Sequence, residues 1–503
     1  MPAILAIVFL GCTLISFLFT KTANVGAGDV IRDCTCVLLF LYAYSWRDKQ
    51  RLQIALLRTI TGIAIFTCAI GFFLFVSALF PRFTGPFESA PNVLAGFLLL
   101  AWPCAWITLR RNILLQTSSV GVLLGSLFLT QSRGAILICL LQIIAIPLLQ
   151  GSSKKLRHVG WVAMFAVIFV TLALLVRSLN FPLPDITGRA VFADAAGTVP
   201  AAERMELMRQ GFLASADRPI FGWGPGSFSF VGPHYQQTAL ANADGPHNII
   251  LRLAAERGWL AAITFAALCL CVLWKALRRG GAGASNIAIF LACAGVFLHA
   301  MMDRDLSFVG VSIPFWLLLG LLAKRTSEKF PLLKIAQCSV ALTLIGFPVI
   351  HQSGDTYLSQ AREYIDAGKP EEALTAILIY QRGNAEDARG WIMCAEARLM
   401  NGDAAAALQC ADTAMRLGKF AYPGIAEHVV RIALATENLS ILEDRMEIIN
   451  GIISAFDQAI IENRNYAAES RVRTEIEDLK ADLAYAKNYF LQLKSRRSHL
   501  QEH

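Results

Sequence analysis

The sequence predicts an all-α protein: a polytopic transmembrane helix bundle of about eleven spans, a large extracytoplasmic loop, and a soluble C-terminal domain of tetratricopeptide-like helices. Three observations predict it. Over 503 residues, 55% are hydrophobic and 16% charged, with a mean hydropathy of +0.52, more apolar surface than one aqueous core buries. Apolar stretches of about 20 residues, the helical length that crosses a hydrocarbon layer of ~30 Å, recur through residues 1–350 and stop there. Charge divides at the same place: residues 1–350 hold 28 Lys and Arg against 14 Asp and Glu, whereas 351–503 hold 17 against 23. The positive excess sits in short loops between apolar stretches, so it reads as membrane topology and not as a nucleic-acid footprint.

The apolar stretches run near 2–20, 30–46, 59–80, 92–109, 113–130, 134–150, 159–179, 259–274, 286–302, 308–323 and 332–350. The stretch at 30–46 is the weakest, because Arg32 and Asp33 stand at its start. Residues 2–20 lack a charged leader and a clear cleavage site, and so read as a first anchor instead of a signal peptide. With the N-terminus in the cytoplasm, the short loops on that side carry 15 basic residues and the opposite short loops five. That asymmetry fixes orientation; the 180–258 loop is exempt by its length. An odd number of spans then places the transmembrane domain at 1–350 and the C-terminal domain, 351–503, outside.

The tail repeats. Gly368 in AGKPEEAL aligns with Gly402 in NGDAAAAL, 34 residues apart, with Ala373 and Ala407 at matching offsets. That is the tetratricopeptide period. A third repeat after Ala421 is degenerate, and the helical pattern from Ile452 to Leu493 can cap the stack. Ten of the twelve cysteines lie at or before Cys338, mostly in apolar segments where a thiol acts as a small hydrophobe. Cys394 and Cys410, in the tail, can pair in an oxidising compartment. Cys34 and Cys36 have no second pair, which argues against a metal site.

Chemistry concentrates outside the membrane. The loop 180–258 is longer than a connector in a compact bundle requires. It carries a helix from about Ala201 to Pro219 and then Gly222-Trp223-Gly224-Pro225-Gly226, a spacing that suits either an anion-binding nest or a tight turn. No flanking strand makes it a dinucleotide fingerprint. Pro246-His247-Asn248 follows, opening IILRLAAERGWLAAITFAAL, which reads as one helix entering the membrane. An imidazole at that rim serves as a cap or as a proton-transfer group. Gln131-Ser132-Arg133-Gly134-Ala135 lies between two apolar segments on the same side. An arginine there either meets an anion or snorkels to the interface, and Arg204 in the loop helix has the same two readings. Together the two guanidinium groups suit phosphate oxygens better than ammonium groups would.

Taken in order, Ser132-Arg133-Gly134-Ala135, Glu203-Arg204, Arg218-Pro219-Ile220-Phe221 with the glycine run to Phe228, and His247-Asn248 followed by nine residues to Gly258 resemble the O-antigen ligase and polymerase superfamily of bacterial inner-membrane glycan transferases. His299, Asp303 and the run Pro314–Leu321 resemble its closing spans, so the likeness covers roughly 90–325. Where the family often carries a second glycine after the histidine motif, this chain has Ala261. The resemblance implies a metal-independent glycosyltransferase without cofactors. It would move a glycan from an undecaprenyl-diphosphate carrier to an acceptor hydroxyl at the outer face of the inner membrane. The acceptor would be lipid A-core or a growing surface polysaccharide, with Ala261 and the repeat tail favouring the polymerase-like role. By the same resemblance Arg133 and Arg204 stabilise the leaving diphosphate and His247 is the general base, while Ser132, Arg218, Gly222, Gly224, Gly226 and Asn248 bind substrate. The tail repeats would engage an assembly protein or the acceptor. A lipid-linked glycan transporter would instead show ionisable or broken helices deep in the spans and related halves. A membrane-anchored scaffold would leave Arg133, Arg204 and His247 replaceable.

Overall fold

The computed structural model describes residues 1–46, 48–80, 82–86, 90–150, 156–182, 199–237, 243–278, 283–323, 354–418, 424–435, 438–461 and 470–501. Every regular element among them is helical. The first seven helices are α1 (Pro2–Leu18), α2 (Ala23–Ser45), α3 (Lys49–Val76), α4 (Pro91–Thr108), α5 (Ile113–Leu129), α6 (Arg133–Gln150) and α7 (Leu156–Ser178). The outer segment contributes α8 (Val199–Asp217), the short α9 (Phe228–Val231) running into a 3₁₀ turn at Gly232–Tyr235, and α10 (Ile249–Arg257). The bundle closes with α11 (Trp259–Arg278), α12 (Ala284–His299), a 3₁₀ turn at Asp305–Ser307, and α13 (Val309–Leu322). Ten of the eleven expected apolar segments are therefore helices, and the eleventh, 332–350, lies outside the described residues.

Among the described residues, Lys49–Val76, Pro91–Thr108, Val159–Ser178 and Trp259–Arg278 are long and apolar enough to cross a bilayer, and five shorter apolar helices pack with them. Burial separates their roles. Helix α4 is enclosed along nearly its whole length, from Val93 to Ile107, as expected of a helix that is apolar on every face. It contacts α3, α5, α6, α12 and α13. On α7, by contrast, Val167, Ile168, Leu172 and Leu175 are exposed, as are Phe66 and Phe73 on α3. Such an apolar rim suits lipid rather than water. The polar Gln142 inside the bundle is fully engaged: it accepts from Trp102 Nε1 at 2.7 Å and donates to the carbonyls of Leu99 and Leu291, so its burial leaves no amide group unpaired.

Two sequence expectations change. Helix α2 begins at Ala23, several residues earlier than the apolar stretch suggested, because its charges are paired inside the protein. Arg32 meets Asp29 at 2.8 Å and Asp33 at 3.1 Å. Arg257 meets Asp33 at 2.8 Å, Asp29 at 3.2 Å and Glu256 at 2.6 Å, while Arg252 meets Asp29 and Glu256, each at 3.1 Å. The segment after Asn248 is not one helix but two, broken at Gly258. There φ is +84°, the Trp259 N–H donates to the Pro219 carbonyl at 2.9 Å, and the Ile220 carbonyl lies where a Cβ would stand.

The tail forms α14 (Gly354–Asp366), α15 (Pro370–Gly383), α16 (Ala388–Met400), α17 (Ala404–Gly418), α18 (Gly424–Ala435), α19 (Leu439–Ile461) and α20 (Ser470–Gln501). Its first two hairpins repeat bond for bond. Lys369 N–H donates to Tyr364 O and Gly368 N–H to Ile365 O, and Asp403 with Arg398 and Gly402 with Leu399 do the same 34 residues on. Both glycines take left-handed φ, +70° and +80°, the usual end of a helix. Ala373 and Ala407 are fully buried at the seams. Cys394 and Cys410 are joined as a disulfide between α16 and α17. The α15–α16 corner rests on the α1–α2 connection and the outer segment: the Ala385 N–H donates to Lys21 O at 3.0 Å, and Glu386 approaches Lys21 at 3.5 Å and His234 at 3.8 Å. The repeats thus sit on the same side of the bundle as the 199–237 segment.

Candidate active site

Helix α5 ends at Leu129 with Thr130 as its C-cap, and the chain reverses through Gln131 at φ +55° to start α6 at Arg133. This tight reversal puts Ser132, Arg133 and Gly134 on a cavity of about 110 Å³, with Arg82, Asn92, Gln131, Arg204, His299, Met302 and Asp303 as its other walls. Arg82 is fixed from the α3–α4 connection: its guanidinium donates to the Thr130 carbonyl at 2.8 and 2.5 Å and to Asn92 Oδ1 at 2.8 Å. Arg204, on α8, reaches Asp303 Oδ2 at 3.5 Å. The lining therefore carries three guanidinium groups and one carboxylate, Asp303. The N-terminus of α6 adds its dipole to this positive field.

Asp303 organises the neighbourhood. Asn92 Nδ2 donates to its Oδ2 at 2.8 Å and the Arg304 N–H to its Oδ1 at 2.8 Å, while His247 Nδ1 stands 3.5 Å from Oδ1. Burial disfavours the charge of this carboxyl, but the neighbouring His247, His299 and Arg304 N–H outweigh burial and hold it below the usual carboxylate range. The His247 approach is longer than a hydrogen bond, as catalytic pairs often are before substrate draws them together.

His247 itself is held in a left-handed conformation, φ +51°. Among the described residues only Ala78, Gln131 and His247 do this without being glycine, and two of the three flank the cavity. Uncommon backbone conformations of this kind persist where surrounding bonds enforce them. Here the enforcement is visible. Asn248 is the N-cap of α10, accepting from the Ile250 and Leu251 N–H groups at 3.0 Å each, and its Nδ2 donates to Met301 O at 3.1 Å. The Ile249 N–H donates to Ala300 O at 2.9 Å. His247 is thereby stitched to the turn that carries Asp303.

The structure thus gathers Ser132, Arg133, Arg204 and, through Asp303, His247. The remaining expected site residues it places otherwise. Asn248 uses both ends of its amide to cap and anchor, not to face the cavity. Gly222, Gly224 and Gly226 form a joint instead of an anion nest. The Trp223 and Gly224 N–H groups donate to the last carbonyls of α10, Ala255 and Glu256, at 2.9 and 2.8 Å, and the Gly222 N–H to Arg218 O. All three glycines take left-handed φ, and Cβ atoms on Gly222 and Gly224 would collide with Glu256 and Thr20. Arg218 stacks on the Trp223 ring, 3.6 Å from its centroid, outside the cavity wall. Sequence reasoning missed Arg82 and Asn92, which no spacing rule connects to Ser132 across 40 to 50 residues. His299 and Asp303 stood out only as parts of a closing-span pattern.

The cavity wall also carries a second histidine, His299. Ser132 Oγ is 3.3 Å from His299 Nε2, and His299 Nδ1 is 2.5 Å from Asp305 Oδ2. No group of three or more metal-ligating side chains occurs among the described residues.

Residues 118–266 match the O-Antigen ligase family. The match takes in Ser132, Arg133, Arg204, His247 and the glycine joint, and stops before His299, Asp303 and Asp305. No curated protein matches the chain. With the apolar helices, the family match supports a multi-pass membrane protein that transfers glycans in surface polysaccharide biosynthesis.

Proposed function

We propose that this chain transfers a glycan from an undecaprenyl-diphosphate-linked donor to an acceptor hydroxyl at the outer face of the bacterial inner membrane. The observation that carries this reading is a cavity with Arg82, Arg133 and Arg204 on its wall and the His247–Asp303 pair beside it. The acceptor oxygen attacks the anomeric carbon and its proton passes to His247. The bond from that carbon to the diphosphate oxygen breaks, and the electron pair leaves with the carrier. The growing negative charge is met by Arg133 and Arg204 on the cavity wall, where guanidinium groups aimed at the leaving group stabilise it electrostatically. Arg82 adds a third guanidinium. Asp303 sits 3.5 Å from Nδ1 and turns its carboxylate to the ring that receives the proton. No metal or cofactor takes part in this scheme.

The lipid remains in the bilayer while the glycan lies in water, which suits a cavity built where α6, α8 and the α12–α13 turn meet. The repeats, tetratricopeptide-like in period, serve on this reading as an extracytoplasmic platform for the acceptor or an assembly protein, and the Cys394–Cys410 pair suits an oxidising compartment. The experiment is accumulation of lipid-linked glycan in a deletion strain complemented with Arg133→Ala, Arg204→Ala or His247→Ala, each verified at normal membrane levels. Accumulation of donor with loss of polymer, as in the deletion, is expected for all three. Wild-type polymer in all three would leave the membrane-anchored scaffold as the better account.

A further inference from the structure

Asp305, His299 and Ser132 form a line that the transfer scheme does not use. Asp305 and His299 are buried to within about 1% of complete enclosure and Ser132 to 5%. Asp305 enters the bundle only because α4 carries Gly96 opposite it: a Cβ at that position would overlap the Asp305 carboxylate. A carboxylate in an apolar bundle is costly unless a partner compensates it. The partner here is the Nδ1–H of His299 at 2.5 Å. The Asp305 carboxylate accepts the hydrogen bond at Nδ1 and so holds the ring with Nε2 toward the Ser132 hydroxyl at 3.3 Å.

Ser132 occupies the N-cap position of α6, and its carbonyl accepts the Ile136 N–H at 2.9 Å. A serine there normally turns its hydroxyl back onto the N–H groups of the first helical turn. Among the described residues, the hydroxyl of Ser132 bonds to His299 instead. His299 and Ser132 both reach the cavity wall, whereas Asp305 lies behind it. The next residue along is Arg133, and the residue before is Gln131 in its left-handed turn.

The geometry points to Asp305 and His299 as a buried positioning pair that fixes Ser132, and through it the start of α6 on which Arg133 stands. The inference rests on the transferase reading above and concerns the same site. Asp305 acts through His299, and His299 acts through Ser132; neither needs to exchange a proton with the substrate. Rigid support from behind matters because a guanidinium that shifts with its helix start no longer meets the leaving diphosphate where charge develops.

The test uses the full chain in membrane vesicles of the deletion strain, supplied with the lipid-linked glycan extracted from that strain. Initial transfer rates are followed over a range of donor concentrations. Asp305→Asn and His299→Gln are expected to lower kcat about ten- to a hundred-fold, the scale on which groups that orient a functional side chain act, with donor KM changed by less than about threefold. Because the pair acts through Ser132, adding Asp305→Asn to Ser132→Ala should cost no more than about twofold beyond Ser132→Ala alone. Losses that simply multiply would mean a general structural role and overturn the proposal. Wild-type kcat in both pair variants, with Arg133→Ala inactive, would also overturn it while leaving the transferase reading intact. Full activity in Arg133→Ala as well would instead remove the reading on which it rests. Should Asp305→Asn fail to reach the membrane, Gly96→Ala displaces the same carboxylate with its charge retained, and it must show the same fall in kcat.

Discussion

Two arginine clusters in this molecule are built from the same residue types and differ in balance. In the first, Arg32, Arg252 and Arg257 meet Asp29, Asp33 and Glu256, and Ser307 takes further bonds from Arg32 and Arg252. Arg257 and Glu256 are almost wholly enclosed. In the second, the cavity presents Arg82, Arg133 and Arg204 with Asp303 as the one carboxylate of its lining. Matched charge, desolvated and ion-paired, holds helices together. An excess of one sign beside a cavity attracts a ligand of the other. An arginine near a membrane edge therefore says little until its partners are counted.

The largest expected effect tests that distinction directly. Arg257→Ala strands buried carboxylates and should cost about 3–5 kcal/mol, seen as loss of the protein from membranes. Arg204→Ala, half-exposed at the cavity, should leave protein level unchanged and lower transfer about a hundred- to a thousand-fold. Equal protein loss in both variants would break the comparison. A smaller effect sharpens it. Gly222→Ala touches the matched network, since its Cβ would strike Glu256 and Arg257 backbone at a left-handed φ. Thermal unfolding should show a loss of about 2 kcal/mol, while kcat per folded molecule stays as in the wild type. A fall in kcat without a change in stability would return the glycine turn to the substrate site.

The mildest probe is acid. Asp303 is held below the usual carboxylate range, so its charge, and the stability that charge contributes, are fully present above about pH 4 and are lost only as pH falls further. The repeat-domain contact behaves differently. Burial pushes the His234 imidazole down; Glu386 opposes this, and Arg416 and Arg218 reinforce it. A free segment then takes up a proton below about pH 6.5 that the docked one refuses, so docking weakens as pH falls through that window, by at most about 1.4 kcal/mol per pH unit. Hydrogen exchange of residues 228–236 at pH 7 and pH 5.5 measures it. With the slower intrinsic chemistry at the lower pH divided out, less protection at pH 5.5 is expected; more protection there would mean that the Glu386 pairing prevails over burial.

Much of this molecule was legible from residues alone. Apolar runs gave ten helices, because bilayer thickness imposes a length on sequence, although α2 and α3 start at Ala23 and Lys49, well before the apolar stretches at 30–46 and 59–80. The 34-residue offset of Gly368 and Gly402 marked two hairpins whose turn bonds repeat atom for atom, because a helix end needs a left-handed residue and glycine supplies it. Arg133, Arg204 and His247 carried chemical meaning through residue type and position at the membrane edge. Three matters were decided only in three dimensions. The glycine run closes the end of α10 because its N–H groups find the Ala255 and Glu256 carbonyls, partners that local spacing does not disclose. Arg82 and Asn92 join Ser132 at one cavity because they bond to Thr130 and Asp303, partners that the fold brings beside them. Asp305 meets His299 because Gly96, on a helix 209 residues away in sequence, leaves the room. Periodicity and residue type are local properties and can be read along a chain; charge balance and close approach are sums over neighbours, and the fold chooses the neighbours.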